Sequence, residues 1–189
     1  MNLVLASSSP RRLHLLNRLG VEPARVTAPA IDESPRKAEP PRAYALRLAV
    51  AKAHAVDRAP GEIVLAGDTT VALGRRILPP ADTPDLQREL LTKLSGRRHH
   101  VLSAVCVIDA AGTARTRLAD TIVAFKPLSP QEIDAYVAGG EGLGKAGGYA
   151  VQGYAEAFVR FLSGSHSGVI GLPLFETRAL LKTAGLPIA

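Results

Sequence analysis

Apolar and polar positions alternate along the chain in short blocks that switch between two periods. Leu3–Ala6 is a brief apolar run stopped by Ser7-Ser8-Ser9, which predicts a first strand. Ser9 then stands as an N-cap before Pro10, and Leu13, Leu15, Leu16 and Leu19 form the stripe of a helix that Gly20 ends. Asp32–Arg42 is polar and proline-rich, a loop. Ala45, Leu46, Leu48, Ala49 and Ala53 share one face of a helix predicted over Pro41–Arg58. Ile63–Gly67 is continuously apolar, the pattern of a buried central strand, and is expected to end at Asp68. Val71–Leu73 continues extended before a loop over Gly74–Pro84. A helix follows over Pro84–Leu94 and stops at Ser95-Gly96. His99–Asp109 and Thr113–Lys126 read as a hairpin turning at Ala111-Gly112. Ser129-Pro130-Gln131-Glu132 opens a short helix that Gly139-Gly140 closes. After a glycine-rich loop over Gly142–Gly148, a strand is expected at Ala157–Leu162, a loop at Gly164–Gly168 and a last helix from Pro173 to about Ala184. The mixed order, with a hairpin that cannot be a parallel crossover, predicts an α/β fold with a mixed sheet and two lobes around a cleft.

Composition narrows this picture. With 189 residues, 47% of them hydrophobic, the chain (1–189) suits one globular domain of two lobes and excludes wholesale disorder. Tryptophan is absent, so Leu, Val, Ile and Ala must fill the interior. No apolar run approaches the ~20 residues of a membrane-spanning helix. The N-terminus lacks the basic and long apolar regions of a signal peptide, so a cytoplasmic protein with no membrane contact is expected. Cys106 is the single cysteine, which excludes an internal disulfide and a cysteine zinc cage; its apolar neighbours predict a core position. The net charge of +6 rests on 17 Arg against 6 Lys and suits phosphate-bearing partners as well as a solvated surface. The arginine pairs are scattered and no basic tail is present, so no stable nucleic-acid complex is expected.

Three places concentrate chemistry. The turn Ala6–Arg12 puts serine hydroxyls, a helix N-terminus and forked guanidinium donors within one short stretch, which reads as a phosphate cradle or as a plain serine cap with solvated arginines. Asp68, after the apolar strand, could hold a divalent cation, take a proton from water, or cap a turn; Thr69 follows it. In Gly144–Gly153, small residues let backbone and Lys145 approach a ligand, and the Gln152 amide can read a base edge; a flexible loop with a solvated lysine has the same composition. Glu33 could aid metal or water binding and Lys52 could reach a phosphate, or each could be solvated. The histidines show no zinc-ligand spacing and read as structural or surface residues.

Taken together these segments are far more specific. Leu5–Arg12, Gly67-Asp68-Thr69-Thr70-Val71, Leu94-Ser95-Gly96-Arg97-Arg98-His99, Gly144–Gly153 and Val169–Leu174 resemble, in order, the motifs of the Maf family of nucleoside triphosphate pyrophosphatases. The resemblance runs over nearly the whole chain. It implies an elongated α/β fold with a mixed twisted sheet, similar to inosine triphosphate pyrophosphatases. It also implies hydrolysis of a nucleoside triphosphate to the monophosphate and pyrophosphate with a divalent metal, Mg²⁺ or Mn²⁺. A role in clearing non-standard nucleotides is compatible with it, as is a homodimer.

By this likeness Asp68 takes the proton-acceptor position, with Glu33 and Asp68 near the metal. Ser9, Arg12, Lys52 and Lys145 fall near the phosphates. Arg11, Thr69 and Gln152 occupy the positions that divide the family by substrate, and this trio resembles the branch acting on dTTP and UTP; a 7-methyl-GTP branch carries a bulky aromatic at the first position and glutamate at the third.

The chain also departs from the pattern. Pro79-Pro80 stands where the family carries a lysine, for which Arg75 or Arg76 would be the substitutes. Gly142 replaces a common tryptophan and Gly168 a common asparagine, changes expected to loosen packing around the glycine loop. The missing lysine favours an alternative, a nucleotide- or nucleic-acid-binding regulator of cell division with little catalysis. Retention of Asp68, Arg12 and Lys145 favours the enzyme.

Overall fold

The computed structural model describes residues 2–188; the termini of the predicted domain, Met1 and Ala189, lie outside them. The strands are β1 (Leu3–Ala6), β2 (Arg25–Thr27), β3 (Ile63–Leu73), β4 (Arg76–Leu78), β5 (Arg98–Ile108), β6 (Ala114–Phe125) and β7 (Val159–Ser163). The helices are α1 (Pro10–Asn17), α2 (Pro41–His54), α3 (Pro84–Leu94), α4 (Pro130–Ala138), α5 (His166–Ile170) and α6 (Leu174–Thr183). One mixed sheet runs in the order β2-β1-β3-β5-β6-β7, with β4 paired to β3. β2, β1 and β3 are parallel, and every other pairing is antiparallel.

Alternation along β1 and β3 explains how so few aromatics suffice. Leu3, Leu5, Ile63 and Leu65 point to one face and pack with Leu15, Leu16 and Leu181 from α1 and α6. Val4, Ala6, Val64 and Ala66 point to the other, where Ala45, Ala49 and Ala53 let α2 approach closely. A further core gathers Val71, Val101, Val123 and Phe125 under α3 and α4 and forms the second lobe. Because β3, β5 and β6 are long, they serve both lobes. The α3 cap is made by the Thr83 hydroxyl, and Ser129 with Glu132 forms the capping box that starts α4.

Several boundaries differ from expectation. β3 does not end at Asp68: it continues to Leu73, because β5 pairs with it throughout, Asp68 opposite Ala104 and Thr70 opposite Leu102. α2 stops at His54, short of Arg58. β4 and α5 arise where loops were expected, and β2 where no element was assigned; β2 and β4 are held by their strand partners, and α5 by its Ser165 cap and by the Ser103 hydroxyl. Tyr154–Phe158 is a 3₁₀ turn, so β7 starts only at Val159. Gly142 and Gly168 do not loosen anything. A Cβ at 142 would lie 2.0 Å from the Gly148 carbonyl oxygen, and one at 168 would lie 3.1 Å from the Ser165 side chain.

The sheet positions the cleft through a missing pairing. β1 covers the β3 edge only as far as Ala6 opposite Ala66, and β4 covers it again from Val71. Between them, residues 67–70 pair with β5 alone. The turn after β1 enters the gap from one side and the chain after β4 bounds the other, so the opening lies at the carboxyl end of β1, where α/β sheets place ligands.

Candidate active site

Asp68 sits in this gap, on the β3 face covered by α2. Its side chain is buried, as is that of Lys52, which reaches it from α2. Lys52 Nζ donates to Asp68 Oδ1 and to Glu33 Oε2, each at 2.9 Å. The Thr70 hydroxyl donates to Asp68 Oδ2 at 2.9 Å. A buried carboxylate left unpaired would be costly; here both oxygens have a donor, and each retains a lone pair for a further partner. Glu33 comes from the exposed proline-rich loop, which α2 ties down. The Tyr44 hydroxyl donates to the Glu33 carbonyl at 2.8 Å, and Arg47 donates to the Ser34 carbonyl at 3.1 Å and pairs with Glu39. Burial, with the charges of Asp68 and Glu33, pushes the Tyr44 phenol up to about 12, so it remains a donor.

On the other side of β3 the first-turn residue Arg12 spans the gap. Its guanidinium donates to the Gly171 carbonyl at 2.9 Å, the Ser7 hydroxyl at 3.2 Å and the Thr69 hydroxyl at 3.4 Å. Desolvation lowers its pKa, Asp68 and Glu33 act in the opposite sense, and the group keeps its charge. Ser9 occupies the N-cap position of α1 but its hydroxyl makes no capping bond; the Ser7 hydroxyl instead accepts from the Ser9 amide at 3.1 Å. The Ser9 oxygen is thus uncommitted, and the residue lines the cleft.

The glycine loop closes the far wall. It is zipped to the double-proline segment: Gly147 N–H donates to the Pro79 carbonyl at 3.2 Å, Ala81 N–H to that of Lys145 at 3.2 Å, and Gly144 N–H to that of Ala81 at 2.9 Å. Gly147 has φ +71°, and a Cβ there would lie 2.9 Å from Val71, so neither the turn nor the approach to β3 admits a side chain. Lys145 Nζ donates to the Glu141 carbonyl and, at 3.4 Å, to that of Leu143. Desolvation and nearby Arg11 lower the pKa of this ammonium. The loop's exit is fixed from below, where buried His99 meets the Tyr149 hydroxyl at 2.8 Å and the Tyr136 hydroxyl accepts from the Ala150 amide at 3.0 Å. Burial pushes the His99 ring down to about 4 and the Tyr149 phenol upward.

Ser9, Arg11, Arg12, Glu33, Lys52, Asp68, Thr69, Lys145 and Gln152 all line one cavity of about 230 Å³. A second cavity of about 390 Å³ lies beyond Asp68 and Thr69, walled by Tyr44, Ile77, Leu78, Pro79 and Pro80. Neither Arg75 nor Arg76, the expected substitutes for the family lysine, lines either cavity. Sequence reasoning missed Tyr44, and it missed the Gly171 carbonyl, since a backbone acceptor carries no residue signature. Cys106 lies in the core, and burial raises its thiol pKa to about 11.

Among the described residues no group of three or more His, Cys, Asp or Glu side chains could hold a metal by itself. Glu33 and Asp68, joined through one ammonium, form a hard-oxygen pair at the wall of the first cavity. That set fits Mg²⁺, which takes one or two carboxylates and fills its remaining positions with water and substrate phosphate oxygens. No helix among the described residues is long and apolar enough to cross a membrane.

Comparison with known proteins adds a lineage to this geometry. The profile of the Maf-like protein family matches residues 2–184. A dTTP/UTP pyrophosphatase of Sphingopyxis alaskensis is 70% identical over 187 residues, covering 98% of each chain. One of Novosphingobium aromaticivorans is 62% identical over 187 residues, covering 98% of this chain and 93% of its own. Among solved structures, a dITP/XTP pyrophosphatase from Mycobacterium abscessus superposes with a TM-score of 0.42 at 18% identity, over 68% of this chain and 76% of its own.

Proposed function

Because the chain belongs to the Maf-like protein family, we propose that it hydrolyses nucleoside triphosphates, dTTP and UTP in particular, to the monophosphate and pyrophosphate. The observation that carries this reading is the meeting of one buried carboxylate, Asp68, with Arg12, Lys52 and Lys145 in a single cavity where β3 is paired on one edge only. Residues 1–189 act as one domain, which the strands shared by both lobes support. The setting is cytoplasmic, in keeping with a single, buried, unpaired cysteine.

The chemical difficulty is attack on a phosphorus shielded by anionic oxygens. Arg12 and Lys145 face the polyphosphate and offset its charge, and the free Ser9 hydroxyl donates to one phosphate. Lys52 holds Asp68 and Glu33 in fixed positions. A divalent cation bound by Glu33 and Asp68 would withdraw further charge from the phosphate oxygens. The remaining lone pairs of Asp68 accept from a water and aim it at the α-phosphorus. The water oxygen bonds to that phosphorus, the bond to the oxygen bridging toward the β-phosphorus breaks, and pyrophosphate departs with that oxygen. The water proton passes to Asp68 and then to solvent. Arg11, Thr69 and Gln152 receive the base. A guanidinium only donates, so it suits the 4-carbonyl of uracil or thymine and leaves the 4-amino group of cytosine unmatched.

The test is a panel of common nucleotides with Mg²⁺, scoring monophosphate and pyrophosphate together. UTP and dTTP should turn over, with CTP slower by about tenfold or more, a difference of ~1.4 kcal/mol. Equal rates on CTP and UTP overturn the selectivity. Tight nucleotide binding without product above background overturns the enzyme reading and favours a binding regulator.

A further inference from the structure

The cleft does not stop at the base-reading residues. Arg11, Gln152 and Ile170 also form one wall of a third cavity, about 510 Å³, whose other walls are α1 and the segment from Glu156 to His166. Four polar side chains line it that no step above uses: His14, Arg18, Glu156 and His166. None of the four, and neither Arg11 nor Gln152, makes a side-chain hydrogen bond or salt bridge to another described residue. Several surface charges elsewhere pair, such as Arg25 with Glu62, Arg88 with Asp134, Arg115 with Asp109 and Lys126 with Glu132, whereas Arg75, Arg117 and Arg160 stand unpaired among the described residues but line none of these three cavities. Ile170, half-buried, supplies an apolar patch of the floor. Two arginines stand against one carboxylate, so the charge is unbalanced toward cations, and the two imidazoles add hydrogen-bonding nitrogens.

We propose that this chamber is a subsite for an acidic arm carried on C5 of the pyrimidine, so that C5-extended, anion-bearing uridine triphosphates are substrates. The inference rests on the function proposed above, which places the 4-carbonyl at Arg11 and Gln152. C5 is bonded to C4, so a group on C5 leaves the ring toward the same wall. dTTP and UTP already differ at C5, by a methyl group, so acceptance of both requires room there. Arg18 and His166 meet the end of the arm as donors, while Ile170 covers its stem.

The test compares 5-carboxymethyl-UTP with UTP and with 5-aminoallyl-UTP, whose arm is cationic. The acidic arm should give kcat/KM at least threefold above UTP, and the cationic arm at least threefold below it. The double variant Arg18→Ala, His166→Ala should abolish the gain for the acidic arm and leave UTP turnover unchanged. Calorimetric titration with 5-carboxymethyl-UMP and UMP reads the chamber independently of hydrolysis. If UTP itself is not hydrolysed, the function fails while tighter binding of the acidic monophosphate still supports the subsite. Equal binding of the two monophosphates, or a gain that survives the double variant, overturns it.

Discussion

The two walls of the cleft are built on opposite plans. On the phosphate wall every charged group is already engaged: Asp68 holds Lys52 and Thr70, Arg12 has three acceptors, and Lys145 is tied to loop carbonyls. On the base wall Thr69 is held by Arg12 and the Gly171 carbonyl, but Arg11 and Gln152 make no side-chain hydrogen bond to another described residue, and Gln152 is exposed. The contrast suits the work proposed for each wall. Positioning a water and offsetting developing charge require groups fixed before the ligand arrives, because reorganising them during reaction raises the barrier. Recognition of a base needs only that donors find acceptors once the ligand is seated, and side chains free to turn can do so for more than one ring.

Substitution of Asp68 by Asn tests the fixed wall most severely. It keeps the shape and removes the charge, and kcat should fall by about 10²–10⁴-fold with KM changed much less, read by pyrophosphate release. Near-normal turnover would strip the fixed wall of its central member. A pair of matched changes comes next. Arg12→Lys replaces a fork serving three acceptors by a point charge, and should cost roughly 10–100-fold in kcat/KM, the worth of about 1.5–3 kcal/mol of charged hydrogen bonding. Arg11→Lys should leave kcat within about threefold, because a partly solvated charge couples only weakly to its surroundings, and should narrow the UTP-to-CTP ratio. Equal losses in kcat would erase the distinction between the walls.

The smallest effect concerns the support beneath the glycine loop. The His99 ring is held neutral, its pKa pushed from the ordinary 6.5 to about 4. Between those values the unfolded chain binds a proton that the native ring refuses. Stability is therefore full above about pH 6.5 and declines as pH falls toward 4, by on the order of 1–3 kcal/mol in all. Thermal melts from pH 7.5 to 5 should show this slope in the native protein and a shallower one in His99→Phe. An unchanged slope would show that His99 does not titrate in this way.

Residue type and order carried much of this arrangement. The strand Leu3–Ala6, the helix Pro84–Leu94 and the Ser129–Glu132 cap are legible because apolar period and capping chemistry coincide there. Asp68 misled as a strand end, since Asp68-Thr69-Thr70 interrupts an apolar run, and hydrophobic pattern reports burial rather than backbone pairing. What continues the strand is β5, distant in sequence. β2, β4 and α5 are three to five residues long, too short for either period to declare itself. The site's side chains were nameable one by one, but the carbonyl of Gly171 and the grip of Tyr44 on Glu33 exist only once the chain has folded. The crowding at Gly142 was equally invisible, because absence of a side chain reads as looseness until the Gly148 backbone is seen against it.

The shared strands also have a mechanical meaning. β3, β5 and β6 run from one lobe into the other as an unbroken ladder, so the lobes have no flexible connector about which to swing. Any approach of one jaw to the other must be stored as elastic twist in those three strands, most easily where residues 67–70 lack a neighbour on one edge. The molecule is built as a leaf spring, and relaxation of that twist would return the jaws to their starting separation after each turnover.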